Sequence, residues 1–346
     1  MRWIVFTLVI FLILPISTAA MDFSAPTAPS DVRDLMPVQI DSFSDGLWHV
    51  VKESVGKIAP DIKECAIICI ALVAIAMLCS ILQQFPGKSV NALHICASIA
   101  VGTLLLGKTS SMITLGTETV SKLSDYGKLL LPVMASALAA QGGTTGAATI
   151  YAGTAAFDAV LSAAIGKLLV PMVYLYLAAS VAASAVGETM LGKLRDLIKW
   201  LMSWGLKIVL YIFTGYISIT GVISGSVDAS AIKAAKLTIS GVVPVVGGIL
   251  SDASEAVLVS AGVMKNSVGV YGMIVIAAIW LSPFLTLGIH YLLLKLCSAI
   301  CEGFGVKVVS NLVKNFSGAM GLLLGMTGAV CFMLMVSMVC FMKGVS

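Results

Sequence analysis

Asp252 and Glu255 are two carboxylates three residues apart inside an apolar, small-residue run, SGVVPVVGGILSDASEAVLVSAGVMKN at residues 240–266. At that spacing they share one side of a helical turn, where carboxylates can cap a helix, handle a cation or proton, or meet a partner's positive charge. Asp252-Ala-Ser-Glu255 has the spacing of a capping box, with Asp252 capping a new helix and Glu255 reaching back. The helix dipole favours negative charge there. In the other reading both acids line a polar pathway or contact a partner, because an ionised carboxylate facing lipid at the bilayer centre costs about 2.5–3.5 kcal/mol. The sequence leaves both readings open. Upstream, Asp228 reads as the N-cap of a short Ala-rich helix carrying Lys233 and Lys236. These lysines can neutralise the acids or snorkel to the interface. Asp158, near the start of another apolar segment, reads as an interfacial cap.

The chain has few other residues whose spacing suggests chemistry. The histidines His49, His94 and His290 are far apart, and no nucleophile triad, phosphate loop or metalloprotease signature is readable. Cys65/Cys69 and Cys297/Cys301 have helical i,i+4 spacing and can each bring two sulfurs together, yet neither pair has a neighbouring histidine. A zinc site needs four N/S ligands, or three and water, so no metal or cofactor is expected. The eight cysteines lie in or beside apolar segments and read as small packing residues.

The elements that position these residues belong in a bilayer. Of 346 residues 59% are hydrophobic and 11% charged, against roughly 25% charged in a soluble domain. The net charge of +4 is spread out, without the basic cluster and interleaved aromatics of a nucleic-acid binder. Residues 1–20 read as a signal peptide, with Arg2 before an apolar core and small residues at Thr18 and Ala20. Residues 21–64 carry eight acids against four Lys/Arg and form an expected extracytoplasmic segment with an amphipathic helix near 44–58.

The spacing predicts an all-α polytopic membrane protein with about six transmembrane helices, at 65–82, 92–106, 157–186, 208–223, 268–294 and 316–342. Two further regions, 129–156 and 227–266, are apolar but rich in Gly, Ala and Ser. They are broken by Pro132, Gly142 and Gly143 in the first and by Pro244, Gly247 and Gly248 in the second. Proline interrupts the helical ladder and the GlyGly pairs permit a tight reversal, so both regions are expected to be re-entrant or broken hairpins.

The two regions also align with each other. An offset of 112 residues places Pro132 on Pro244 and Pro171 on Pro283, and GETMLGKLRDLIKW at 187–200 corresponds to CEGFGVKVVSNLVKN at 301–315. An internal duplication follows, with membrane repeat 1 at 129–225 and repeat 2 at 242–342, after a two-helix hairpin at 65–106. Leu191, Leu194, Ile198 and Leu201 form an apolar stripe opposite Lys193, Arg195, Asp196 and Lys199. Val309, Leu312, Val313 and Phe316 repeat it opposite Lys307 and Lys314. Both stretches read as interfacial helices. Their basic excess puts both on the cytoplasmic side, which makes the repeats parallel and leaves the hairpins on the outer side.

The block ISGSVDASAIKAAKLTISGVVPVVGGILSDASEAVLVSAGVMKNSVGVYG at 223–272, together with LLPVMASALAAQGG at 130–143, resembles the stage III sporulation protein AE family of endospore-forming bacteria. The resemblance extends along the chain. It implies a multi-pass protein of the mother-cell membrane around the forespore. It also implies action with other membrane proteins of the same sporulation complex and a forespore-side partner, in a transenvelope channel or secretion-like assembly that sustains forespore development and late gene expression. No enzymatic activity is implied. The residues alone also admit a stand-alone permease, with a substrate site between duplicated broken helices.

Overall fold

The computed structural model describes residues 24–37, 42–84, 90–141, 143–187, 190–242 and 247–343; within these, 90–91, 220–242 and 247–265 are described by backbone alone. The predicted signal peptide lies outside the described residues. A short 3-10 turn, Arg33–Leu35, precedes the helices α1 (Phe43–Gly56), α2 (Ala59–Gln83), α3 (Val90–Ala140) and α4 (Thr144–Ala164). A π-helical turn, Ile165–Leu169, joins α4 to α5 (Val170–Val186), and α6 (Met190–Val242), α7 (Gly247–Gly303) and α8 (Lys307–Lys343) complete the chain. All regular structure among the described residues is helical, and six helical stretches are long and apolar enough to cross a membrane.

Each break between helices has a local cause. Ser42 caps α1 by accepting from the Asp45 N–H at 3.2 Å. After α3 the Gly143 N–H reaches back to the Leu138 carbonyl at 3.2 Å, a six-residue closure typical of a helix end, and α4 then packs against α3. Gly187 ends α5 with φ +97° and Gly305 follows α7 with φ +78°, backbone that a Cβ disfavours. Pro171 has no N–H to give to the preceding turn. The π turn just before it, closed by the Val170 N–H on the Ile165 carbonyl, absorbs that loss.

Three expectations change. Pro132 lies inside α3 and does not break the helix, which continues to Ala140 before α4 begins at Thr144. The span predicted at 92–106 and the first part of the 129–156 region are one continuous helix of 51 residues, about 76 Å long at 1.5 Å per residue, where a crossing needs about 30 Å. The amphipathic stretches at 187–200 and 301–315 are not separate helices either. The first is the opening of α6, and the second supplies the end of α7 and the start of α8.

α8 is the central element, touching α3, α4, α5, α6 and α7. Its stripe of Val309, Leu312, Val313 and Phe316 is fully buried. The corresponding stripe on α6 is not, since Leu194 and Leu201 are exposed. Side-chain contacts fix the two ends of the bundle. At one end Ser80 donates to the Phe304 carbonyl at 3.0 Å, and Tyr176 donates to the Asn315 carbonyl at 3.1 Å. The turns after α2, α5 and α7 therefore share this end. At the other end the first residues of the described chain pack on α3: Tyr126 donates to the Pro26 carbonyl, Lys122 pairs with Asp31, and Gly46 of α1 meets Ile274. Glu118, Lys122, Asp125 and Lys128 form an exposed polar face there, so this part of α3 has a polar neighbourhood on one side.

Candidate functional site

Asp228, Lys233 and Lys236 fall along α6, and Gly247, Gly248, Asp252 and Glu255 fall in the opening turns of α7. Their side chains, and Gly142 and Pro244 altogether, lie outside the described residues, and with them the choice between capping and a polar pathway. Gly143 is described and buried at the reversal between α3 and α4.

Among the described residues a different constellation assembles where α6, α7 and α8 meet. Tyr291, Lys295, Ser298 and Glu302 recur at i, i+4, i+7 and i+11 and so share one face of α7. Lys314, Ser317 and Gly321 share one face of α8, and Lys199 and Ser203 one face of α6. These faces enclose a groove of about 550 Å³. It contains three ammonium groups and one carboxylate, and no ion pair joins Lys199, Lys295, Lys314 or Glu302 to another described residue. Lys295 donates to the Tyr291 hydroxyl at 3.3 Å and stands 5.4 Å from the centre of that ring.

The floor of the groove is rigid. Ser298 and Ser310 exchange hydrogen bonds with each other's carbonyls at 3.0 and 2.9 Å, and Ser317 donates to the Tyr291 carbonyl at 2.9 Å. These three bonds pin α7 to α8. A Cβ at Gly318 would stand 3.0 Å from the Tyr176 hydroxyl and 3.3 Å from Lys199 Nζ, so the glycine is what lets both groups lie against α8. A net positive, hydroxyl-lined groove is suited to holding an anion. The sequence hinted at this site only through the parallel positions of Lys199 and Lys314 in the two connectors. Lys295 and Tyr291 join them through helix pairing that spacing alone does not reveal.

Other polar groups serve as joints between helices. Ser124 donates to Asp158 Oδ2 at 2.5 Å, Thr154 and Ser337 share a hydrogen bond of 2.8 Å, and Thr286 donates to Asp61 at 2.7 Å. Asp158 is buried in the body of α4, so it does not cap a helix as expected. The two cysteine pairs come together between α2 and α7: Cys69 donates to the Leu293 carbonyl and Cys297 to the Cys69 carbonyl, each at 3.7 Å. Among the described residues no group of three or more His, Cys, Asp or Glu side chains is placed to hold a metal ion.

The family model of stage III sporulation protein AE matches residues 31–344. This chain belongs to that family. One relative, the stage III sporulation protein AE of Bacillus subtilis (strain 168), is 23% identical over 239 residues, which cover 68% of this chain and 60% of that protein. The match thus spans less than two thirds of the relative's length. No solved structure matches the chain. A stage III sporulation family member with six apolar helices is a multi-pass membrane protein in a sporulation context.

Proposed function

We propose that this chain is the integral membrane subunit of a transenvelope channel or secretion-like complex between mother cell and forespore, with no catalytic activity of its own. The observation that supports assembly is the outer face of α6. Lys207, Tyr211, Thr214, Gly215 and Ser218 recur along one face and are all exposed, and nothing lies within 4 Å of a Cβ built on Gly215. The Thr214 and Ser218 hydroxyls donate to carbonyls of their own helix at 2.8 and 2.7 Å, so the face offers a close-packing surface of the small and hydroxyl residues that packed transmembrane helices use against one another. A helix of another complex member fits this stripe.

The charge distribution supports the orientation. Lys193, Arg195, Lys199, Lys295, Lys307 and Lys314 gather around the end that carries the turns after α5 and α7, against Asp196 and Glu302. The positive-inside rule favours the mother-cell cytoplasm for that end, with the segment before α1 on the opposite side of the mother-cell membrane around the forespore. A parallel duplication accords with the same arrangement. In each half a proline, Pro171 in the first turn of α5 or Pro283 inside α7, precedes a positive-φ glycine at or just past the helix end, Gly187 or Gly305, and the next helix has basic first turns. In the first half the reversal at 141–143 is the tip of the proposed outer hairpin.

The test is a Gly215→Leu, Ser218→Leu variant. The account expects it to reach the membrane at normal level but to migrate free of the complex on native gels and to block forespore development. Normal sporulation with unchanged migration would sink the assembly reading. The permease alternative draws on Asp252 and Glu255. D252N/E255Q should abolish transport there while leaving the complex intact, and normal sporulation in that variant removes it.

A further inference from the structure

The groove between α6, α7 and α8 has no ligand assigned to it, and its chemistry narrows the choice. Its four charged side chains sum to +2, from Lys199, Lys295 and Lys314 less Glu302. No described carboxylate forms an ion pair with the lysines. Three ammonium groups held on separate helices repel one another unless an anion sits among them. The Tyr291 hydroxyl adds a neutral group that can donate to an anion's oxygens.

The location points to a lipid. All three lysines stand on helices apolar and long enough to cross a bilayer, at the end where basic side chains collect. Gly318, Gly321, Ala299 and Leu322 complete the lining, which gives the groove an apolar wall beside its charges. Just outside, Trp200 and Trp204 are exposed and stacked with ring centres 5.4 Å apart, and paired indoles on an outward face mark the level of the lipid headgroups. A groove of about 550 Å³ is within the range of small-ligand sites. Basic pockets between transmembrane helices on the cytoplasmic side commonly hold anionic headgroups.

We propose that this groove binds the headgroup of an anionic phospholipid, its phosphates among Lys199, Lys295 and Lys314 and its acyl chains along the Gly318–Leu322 side of α8. A diphosphatidylglycerol headgroup, with two phosphates, matches the net charge of +2. The site is independent of the channel reading and stands or falls by binding alone.

The test uses the full chain purified in a neutral detergent, delipidated, and titrated separately with tetraoleoyl cardiolipin, dioleoylphosphatidylcholine and inorganic phosphate, with bound lipid read by native mass spectrometry. One basic side chain near an anionic lipid is worth about fivefold in affinity, so K199Q/K295Q/K314Q should bind cardiolipin about 100-fold more weakly. K199R/K295R/K314R should retain most of the binding, which separates lost charge from lost folding. K167Q/K193Q/K307Q removes the same charge elsewhere on the chain and should bind normally. E302Q, which removes the one acid, should tighten binding about fivefold. Equal binding of phosphatidylcholine, no loss in the glutamine triple variant, or an equal loss in the control triple overturns the proposal. So does inorganic phosphate at comparable concentration displacing cardiolipin, since the groove would then be a site for the free ion.

Discussion

The phenol hydroxyl of Tyr176 donates to the backbone carbonyl of Asn315 at 3.1 Å, joining the middle of α5 to the third turn of α8 beside Gly318. Lys199 Nζ, from the first basic connector, approaches the same glycine. Tyr176→Phe should lower the unfolding free energy by about 1 kcal/mol, the usual net value of such a bond. Gly318→Ala pushes on the same hydroxyl, so the two changes should be non-additive in a double-mutant cycle of thermal unfolding in detergent. Strict additivity would mean that the hydroxyl and Gly318 do not share one contact.

Asp158 tests how polar the interior of the bundle is. Its Oδ2 accepts from Ser124, while Oδ1 is buried with no hydrogen-bond partner among the described residues. A half-satisfied buried carboxylate is a cost to folding. Asp158→Asn keeps an acceptor for Ser124 and removes the charge, so stability should stay level or rise by about 1 kcal/mol. A fall of more than about 2 kcal/mol would show that the carboxylate has a charged partner in the assembled protein.

The sulfur contacts between α2 and α7 make a direct crosslinking test. The Cys69 thiol donates to the Leu293 carbonyl and the Cys297 thiol to the Cys69 carbonyl, which brings the two side chains into one contact between the helices. In a chain retaining only these two cysteines, mild oxidation in membranes should link α2 to α7, seen as a linked fragment pair after cleavage in the intervening sequence. A pair retaining Cys96 and Cys340 should stay unlinked. Equal yields from both pairs would contradict this helix pairing.

Acid should loosen the segment that precedes α1. The hydrogen bond from Lys122 holds the Asp31 carboxyl below its ordinary value of 3.8. A carboxyl lowered on folding adds stability that is fully present above its unfolded value and is lost as pH falls through its folded value. Hydrogen exchange across residues 24–37 should therefore be unchanged from pH 7 to pH 5 once corrected for intrinsic rate, and rise below the unfolded value. The pair is partly exposed, so the effect is small, about 0.2–1 kcal/mol. Asp31→Asn should abolish the acid-dependent step.

What the sequence revealed follows from the range of each interaction. The apolar stretches are local signals, and six helical stretches long and apolar enough to cross a membrane answer to them in the fold. Pro132 misled because the carbonyl it frees, that of Lys128, belongs to the exposed polar side of α3 with Lys122 and Asp125, where a carbonyl left without its helical partner can be met by polar surroundings. The connectors were read as separate helices because the charges of Lys193 and Lys307 suggest a surface element. Packing instead carries both straight into long helices. Asp158 was read as a cap from its distance to an apolar run, but the true start of α4 is at Thr144. The groove was least legible of all, since Lys199, Lys295 and Lys314 meet only through the pairing of three helices.

The central claim is that the turns after α5 and α7 lie on one side of the membrane and the reversal at 141–143 on the other. Single cysteines at residues 141, 193 and 307, each in a cysteine-free chain in intact cells, can be labelled with a membrane-impermeant maleimide before and after permeabilisation. The account predicts that 193 and 307 label only after permeabilisation and that 141 labels before it. Labelling of 193 and 307 from opposite sides would contradict it.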